Sequence, residues 1–392
     1  MNSQKDMKNE SNAPDIVNSG ALNLISKLKQ TTVQDKIYSF DWGIGSDSPF
    51  VVEFDPTTNC NLACPDCISG SLLNQGMIER NRILGLTQEM IDAGVKAVVL
   101  IGGGEPMMHP DIGKVIEMLG RAEVKIGITT NGFYLKKHLD VTAKYADWVR
   151  VSMDAGTSET FQRIRPSKLG NSLFHNAIEN MSIYAQKKSG KLGYSFMIFD
   201  EGKYGFSSQA AVKSGITTNV HEIYDAAKIA KEIGCDYFEL KPMYDVNHYA
   251  ILQKNDISDM VFEQLAKAKE LEDETFKVHI ATKLKATLKG ESNLEPKEYH
   301  RCAVSELRTL VTPSGVYVCP YFRGVESKKI GDVNEHSFSD MWHGEQRKRV
   351  LEKLDPSVDC KMHCIRHHSN LEIEEMIKNP RGGDIENYDL FI

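Results

Sequence analysis

Three closely spaced cysteines are the residues of this chain whose types and spacing point most directly to chemistry. Cys60, Cys64 and Cys67 form a C-x3-C-x2-C pattern directly after the apolar run 50–54, which is typical of a strand. Three thiolates on a four-iron cluster leave one iron open to a reacting ligand, whereas a structural zinc ion needs a fourth protein ligand. For this loop taken alone, a zinc site with a distant fourth ligand and a set of buried thiols remain alternatives.

Four more cysteines could hold a second metal centre nearer the end of the chain. Two lie at the ends of a predicted hairpin with its turn at 313–315, and two form a C-x3-C pair after a helix predicted from about 337 to 354. Four thiolates complete the coordination of a zinc ion or of a four-iron cluster, so both metals stay open. A fully ligated cluster suits electron transfer or a structural role better than substrate binding. The candidate ligands are Cys302, Cys319, Cys360 and Cys364.

Alternating strands and helices are predicted to position the first cysteine group. Six strand-like runs recur with helical periodicity in most of the intervals, which is typical of a parallel sheet with right-handed crossovers. We therefore predict an α/β fold, a partial (β/α)6 TIM-like barrel with its functional residues at the carboxyl ends of the strands. The predicted strands lie near 50–55, 96–101, 124–129, 147–153, 193–199 and 236–241.

The third, fourth and sixth predicted strands each have one polar and one apolar face. Arg150, Ser152 and Asp154 share the polar face of the fourth strand, and Glu239 and Lys241 project to the polar face of the sixth. If helices cover the apolar face, the polar face lines a lumen that holds polar ligands; a solvent-facing sheet surface is the alternative. Glu239 and Lys241 are accordingly candidates for proton transfer to a substrate.

Short motifs follow the second, third and fourth strands. Gly103 and Gly104 would let the backbone approach a ligand closely, and the carboxylate of Glu105 can accept hydrogen bonds from an amine. The run 129–132 reads Thr-Thr-Asn-Gly at the end of the third strand, and Arg165 follows the fourth. Alone, each motif is a common turn or helix feature, so their order along the chain carries the information.

Over about residues 50–245, the cysteine loop and the order of the motifs that follow it resemble those of the radical S-adenosylmethionine (radical SAM) enzymes. A second piece, over about 300–370, resembles the auxiliary-cluster "twitch" extension of such enzymes, whereas the longer SPASM extension would need more cysteines than remain. The resemblance implies a [4Fe-4S] cluster on the first three cysteines, whose open iron binds S-adenosylmethionine, and a second [4Fe-4S] cluster on the later four. The residues implied to contact S-adenosylmethionine are Gly103, Gly104, Glu105, Asn131, Ser152, Asp154 and Arg165.

The resemblance also implies individual roles for some of these residues. The segment from Gly103 to Pro106 corresponds to the family's GGEP motif, which contacts the amino group of the methionine moiety. Ser152 and Asp154 would face the ribose or the methionine carboxylate, and Arg165 would pair with that carboxylate as a fixed cation.

In enzymes of this family, one electron from the cluster cleaves S-adenosylmethionine to a 5'-deoxyadenosyl radical, which takes a hydrogen atom from an unactivated C–H bond. The implied function is oxidation of a small polar metabolite, such as a sugar or aminocyclitol, with an electron leaving through the auxiliary cluster and a flavodoxin- or ferredoxin-type protein as electron donor. Modification of a ribosomally made peptide, and a redox-neutral epimerisation or elimination, are the alternatives. A non-catalytic iron-sulfur or zinc scaffold is the alternative from a different class.

Composition limits the remaining possibilities. The chain has 392 residues, 41% hydrophobic and 26% charged, with a net charge of -7, which argues against a nucleic-acid surface. No run reaches about eighteen apolar residues and the start lacks a signal-peptide core, so we predict no membrane span and a cytoplasmic protein.

The remaining predictions concern single segments of the chain. Cys235 is predicted to be a buried small hydrophobe, and the inserted loop at 200–216 is predicted to be a substrate lid. The predicted units are a partly disordered leader at 1–48, the radical SAM barrel at 49–250, a helical linker at 251–299, the twitch or SPASM-like domain at 300–370 and a tail at 371–392.

Overall fold

The computed structural model describes residues 23–39, 42, 45–65, 67–199, 218–242, 257–281, 284, 296–360, 364–380 and 385–392. The predicted lid at 200–216 lies outside the described residues. No helix in these ranges is long and apolar enough to cross a membrane.

Ten strands of the described chain form one continuous sheet, in the order β10-β9-β8-β1-β2-β3-β4-β5-β6-β7. Strands β1 to β7 pair in parallel with their sequence neighbours, β8 pairs in parallel with β1, and β9 and β10 are antiparallel additions at that edge. The strands are β1 (Val51–Phe54), β2 (Ala97–Leu100), β3 (Lys125–Thr130), β4 (Trp148–Ser152), β5 (Lys191–Met197), β6 (Tyr237–Lys241), β7 (Lys277–Ile280), β8 (Arg308–Thr312), β9 (Gly315–Tyr317) and β10 (Lys329–Gly331). The partial TIM-like barrel predicted from the sequence is confirmed.

Helices cover the convex face of this sheet wherever the chain crosses between parallel strands. In the helix Ile112–Arg121, Ile112, Val115, Ile116 and Leu119 are fully buried, as the helical spacing of its apolar residues requires. The helices are α1 (Leu24–Leu28), α2 (Thr31–Ser39), α3 (Arg80–Asp92), α4 (Ile112–Arg121), α5 (Leu139–Tyr145), α6 (Ser158–Ile164), α7 (Phe174–Ala185), α8 (Ile223–Glu232), α9 (Ser258–Lys269), α10 (Phe338–His343), α11 (Glu345–Lys353), α12 (Pro356–Asp359) and α13 (His367–Lys378).

The structure corrects two predictions made for the second half of the chain. The interval 251–299, predicted as a helical linker, contains α9 but also the strand β7, which pairs with β6 and extends the barrel sheet. The single helix predicted from about 337 to 354 is two helices, because Gly344 adopts an extended conformation between α10 and α11. The predicted hairpin is present as β8 and β9.

The concave face of the sheet is covered in part by the two ends of the described chain. Val51 and Ala97 of the concave face share an apolar cluster with Leu28, Phe391 and Ile392. The ring centroids of Trp148 and Phe391 lie 5.3 Å apart in an edge-to-face arrangement. The segment predicted as a tail therefore forms part of the barrel interior.

Polar contacts fix this final segment to α1 and its flanking turn. Lys27 forms an ion pair with Asp389 at 2.7 Å. The side-chain oxygen of Gln30 accepts hydrogen bonds from the main-chain N–H groups of Tyr388 and Asp389, at 2.6 and 2.8 Å. Gln30 is fully buried, so both ends of its amide need partners, and the final segment supplies them.

We expect Phe391→Ala to lower the free energy of unfolding by about 3 kcal/mol, because the truncation leaves a cavity against Trp148. Denaturant titration of the apoprotein measures this change. Leu371→Ala is the matched control, since Leu371 is 43% exposed and its truncation should change stability by less than about 0.5 kcal/mol. Equal stabilities for the two variants would show that the final segment contributes nothing to the barrel interior.

Candidate active site

The three cysteines of the C-x3-C-x2-C loop follow β1 at the carboxyl end of the barrel. Each is partly buried, and a hydrogen bond of 3.5 Å from the N–H of Leu62 to Cys60 Sγ shapes the loop. Burial raises the pKa of Cys60 to about 11 and that of Cys64 to about 12. Both are therefore neutral thiols at pH 7 unless a metal centre supplies the positive charge that stabilises a thiolate, as a metal ligand requires.

The glycine turn after β2 packs directly on this cysteine loop. The N–H of Gly104 donates to Thr57 O at 3.1 Å, and the N–H of Glu105 donates to Asn59 O at 2.8 Å. A Cβ atom at position 104 would lie 2.2 Å from Asn59 O, which is closer than any side chain tolerates. Glycine is required at position 104 because the cysteine loop passes over it.

Glu105 joins the glycine turn to the end of β3. Its buried carboxylate accepts hydrogen bonds from Thr130 Oγ1 at 2.6 Å, from the N–H of Asn131 at 2.7 Å and from the N–H of Met107 at 3.0 Å. A carboxylate has about four acceptor positions, so one remains for a ligand's amine. Asn131 in turn donates through Nδ2 to Asn61 Oδ1 at 2.8 Å, which brings the end of β3 against the cysteine loop.

An ion pair between Asp154 and Arg165 places a cation beside Cys64. Asp154 is buried, has a φ of 56° and accepts from Arg165 Nε at 2.8 Å and from the N–H of Met197 at 2.8 Å. Arg165 Nη1 lies 3.9 Å from Cys64 Sγ. Asn219 holds the same turn by donating to Asp154 O at 2.8 Å. Both carboxylate oxygens of Asp154 are thus engaged within the protein.

A polar chamber lies on the concave face between β4 and β6. We use the term chamber for Arg150, Ser152, Ser195, Glu239 and Lys241, which are brought together because Ser152 pairs in register with Ser195, and Ser195 with Glu239. The Arg150 side chain is 26% exposed although β4 is a central strand, so the concave face is accessible to solvent there. This agrees with the predicted polar lumen.

The charged side chains of the chamber shift one another's pKa values. Arg150 Nη1 pairs with Glu239 Oε2 at 3.2 Å. Burial opposes ionisation of Glu239, but the nearby cations Arg150 and Lys241 outweigh it and hold the pKa of this carboxyl below its usual value. Burial, reinforced by Arg150, lowers the pKa of Lys241 to about 8. At neutral pH the chamber therefore holds a carboxylate beside an amine that gives up its proton easily.

The four cysteines of the second group lie near enough to one another to interact electrostatically. Burial raises the pKa of Cys302 to about 11 and that of Cys360 to about 12, and the neighbouring Cys364 adds to both shifts. The pKa of Cys319 is also raised, by burial and by the nearby Cys364 and Cys302. Cys364 raises the pKa of the other three thiols, which suits a metal centre, because its positive charge would remove this repulsion.

Several contacts of the site have no signal in the sequence. Arg150 was recognisable as polar, but it pairs with Glu239, which lies 89 positions further along the chain. The buried pair of Asp55 and Arg323, which connects the two cysteine regions, likewise joins residues that are far apart in the sequence. The lone cysteine, Cys235, is buried as predicted. Of the histidines beside the last cysteines, His363 lies outside the described residues and His367 stacks on Tyr299 at 5.7 Å.

Comparison with known proteins identifies both cysteine regions. The profile of the radical SAM superfamily matches residues 54–202, and that of the SPASM iron-sulfur cluster-binding domain matches residues 302–365. The second match confirms the twitch or SPASM-like auxiliary-cluster domain predicted from the sequence. Together the two matches span more than half of the chain.

Curated relatives resemble this chain over about a third of its length. It is 33% identical over 131 residues to molybdenum cofactor biosynthesis protein 1 of Dictyostelium discoideum, covering 32% of this chain and 20% of that protein. It is 29% identical over 124 residues to mycofactocin maturase MftC of Mycobacterium tuberculosis strain H37Rv, covering 31% of this chain and 32% of that protein. The chain thus spans well under half the length of these relatives.

Solved structures match the fold over most of the chain. Streptococcus suis SuiB bound to S-adenosylmethionine aligns with a TM-score of 0.57 at 16% identity, covering 88% of this chain and 78% of SuiB. The enzyme anSMEcpe with bound S-adenosylmethionine and a peptide aligns with a TM-score of 0.51 at 14% identity, covering 83% of this chain and 96% of that chain. At these identities the likeness establishes the shared fold.

These matches confirm the predicted cofactors. A radical SAM domain implies a [4Fe-4S] cluster and S-adenosylmethionine, and a SPASM domain implies auxiliary iron-sulfur binding. The half-buried thiols of both groups, whose pKa values call for a compensating positive charge, fit such clusters. The chain therefore belongs to the radical SAM superfamily and carries an auxiliary iron-sulfur cluster-binding domain.

Proposed function

We propose that this enzyme takes a hydrogen atom from a small polar substrate held in the chamber and oxidises it by two electrons. The observation that carries the proposal is the chamber itself, with the Arg150–Glu239 ion pair and Lys241 together on the concave face. When bound, the cofactors supply a 5'-deoxyadenosyl radical and an electron acceptor. The residues of this chain bind the cofactors and the substrate and handle the protons.

The residues at the mouth of the barrel would hold S-adenosylmethionine. Glu105 has one acceptor position left for the amino group, and Gly103 and Gly104, packed closely against the cysteine loop, would place that carboxylate beside the cluster. Arg165 would bind the carboxylate, with Asp154 fixing the direction of the guanidinium rather than touching the ligand. Ser152, partly exposed at the carboxyl end of β4, would face the ribose, and Asn131 would support the cluster loop.

Lys241 is the proton acceptor that the geometry favours. Removing a hydrogen atom and an electron from a carbon that bears a hydroxyl or amino group leaves a proton on that group, which must go to a base as the C=O or C=N bond forms. Glu239 is held by Arg150 with its pKa lowered, which weakens it as a base. Lys241, with a pKa of about 8, exists partly as the free amine near neutral pH and can take the proton.

Modification of a peptide is the second candidate. The observations that favour it are the similarity to mycofactocin maturase and the fold shared with SuiB, whose structure has been solved with its precursor peptide SuiA. The small set of charged side chains converging in the chamber favours the small substrate, because a few polar groups at short range can fix the orientation of a small polar molecule.

One experiment separates the two candidates. Anaerobically reconstituted enzyme, reduced by flavodoxin or ferredoxin, is given S-adenosylmethionine and either the small-metabolite or the peptide fraction of a cell extract. We expect the small-metabolite fraction to raise 5'-deoxyadenosine release, with a product that has lost two hydrogens. Stimulation by the peptide fraction alone would favour the second candidate. A product of unchanged mass, with S-adenosylmethionine regenerated, would indicate a redox-neutral reaction.

A further inference from the structure

A buried ion pair joins the two cysteine regions across the sheet. Asp55, at the start of the cysteine loop, is fully buried, and Arg323 follows Cys319 by four residues. Arg323 Nε lies 2.5 Å from Asp55 Oδ2, and Nη2 lies 3.2 Å from Oδ1, so the contact is bidentate. A bidentate pair fixes direction as well as distance, and this one fixes the loop after Cys319 relative to the loop that contains Cys60.

A second contact holds the same two loops at their other ends. Leu72 closes a short 3-10 turn, Gly70–Leu72, that follows Cys67. Gly324 has a φ of 76°, and a Cβ atom there would lie 3.0 Å from both terminal methyl carbons of Leu72. The loop after Cys319 therefore touches the cluster loop before its first cysteine and after its last.

Asp55 also reaches the glycine turn. The N–H of Gly102 donates to its carboxylate, and a Cβ atom at Gly103 would lie 3.6 Å from Asp55 Oδ2. Its own N–H donates to Val311 O at 2.8 Å, which extends the pairing of β1 with β8. One buried carboxylate thus links the cluster loop, the glycine turn and the auxiliary hairpin.

Ligation of Cys319 would restrict the position of Arg323, because the chain between them is a short turn. Cys319 precedes the 3-10 turn Pro320–Phe322, and the N–H of Phe322 donates to Cys319 O at 3.0 Å. Arg323 comes next, with its side chain only 11% exposed. A cluster that fixes Cys319 would fix the direction in which this guanidinium leaves the turn.

We propose that Arg323 is a positioning residue that makes the two cluster sites depend energetically on each other. With the auxiliary site filled, Arg323 and Gly324 hold the cluster loop closed around its own cluster. With it empty, the turn after Cys319 loosens, and the cluster of Cys60, Cys64 and Cys67 is lost more easily. Because such coupling is reciprocal, filling either site stabilises the other.

The test is the rate at which a chelator removes the cluster that responds to S-adenosylmethionine, followed by the loss of its electron paramagnetic resonance signal. Cys360→Ala impairs the auxiliary site without changing the loop after Cys319, and Arg323→Met removes the ion pair. We expect each change to speed removal by about tenfold, and the double variant to be no faster than either single variant. The proposal is wrong if Arg323→Met leaves the rate unchanged, or if Cys360→Ala speeds removal equally in both backgrounds.

Two further variants keep the test decisive. Arg80→Met is the matched control, since Arg80 forms an equally bidentate pair with Asp111, at 2.6 and 3.0 Å, that touches neither cysteine region, and it should leave the rate unchanged. Arg323→Met strands a buried carboxylate and could impair folding. Leu72→Ala removes the second contact without that cost and should also speed cluster removal. A wild-type rate for Leu72→Ala would contradict the proposal independently.

Discussion

Cys64→Ala will release no 5'-deoxyadenosine from S-adenosylmethionine under reducing conditions, a loss of activity below detection. The thiol of Cys64 lies 3.9 Å from the guanidinium of Arg165, the cation proposed to bind the methionine carboxylate, so this cysteine would hold the cluster beside that carboxylate. Without its thiolate the site has two ligands left and cannot hold a four-iron cluster. Chromatography of the reaction mixture measures the result, and iron analysis should fall from about eight to about four atoms per chain.

Cys235→Ala is the matched control for this experiment. Cys235 is buried and stands apart from both cysteine groups, so its replacement should leave the iron content and the release of 5'-deoxyadenosine at the wild-type level. Release by Cys64→Ala at a rate comparable to wild type would mean that the open iron is held by other residues, and the assignment of the loop would fail.

The sequence allowed the barrel to be predicted because the pattern that forms it is local. Runs such as Val98 to Leu100 are apolar throughout, and strands buried on both faces need that composition. The strand Lys277–Ile280 was missed because four residues after a long helix give too short a pattern to be distinguished from helix. The pairing of β8 with β1 could not be predicted, since residues about 257 positions apart carry no local signal of their register.

The site was predictable where ligand spacing defines it and unpredictable where the fold brings distant residues together. The two cysteine groups and the GGEP turn were visible because metal ligands and close backbone approach restrict residue types at fixed spacing. The pairing of Asp154 with Arg165 could not be predicted, because it depends on the turn that links β4 to α6. The enclosure of the barrel by Phe391 likewise depends on a long-range contact with Trp148.

Lys241→Met will slow oxidation of the substrate by about 10²- to 10⁴-fold, the range typical of a lost general base. Burial lowers the pKa of Lys241 to about 8, so the wild-type amine is protonated and inactive below that pH and free above it. We therefore expect the wild-type rate to rise about tenfold per pH unit below 8 and to level off above it, and the methionine variant to lose this limb of the profile. The measurement is the initial rate of product formation across pH, with the metabolite fraction that stimulates turnover.

A lysine on the next strand provides the control for Lys241→Met. Lys277 pairs in register with Tyr237 at the other end of the sheet and is exposed, so Lys277→Met should leave both the rate and its pH dependence unchanged. Release of 5'-deoxyadenosine without substrate should persist in both variants, because neither lysine binds the cluster. If Lys241→Met kept the wild-type rise toward pH 8, the proton would be leaving through another group, and the chamber would serve to bind the substrate without acting as its base.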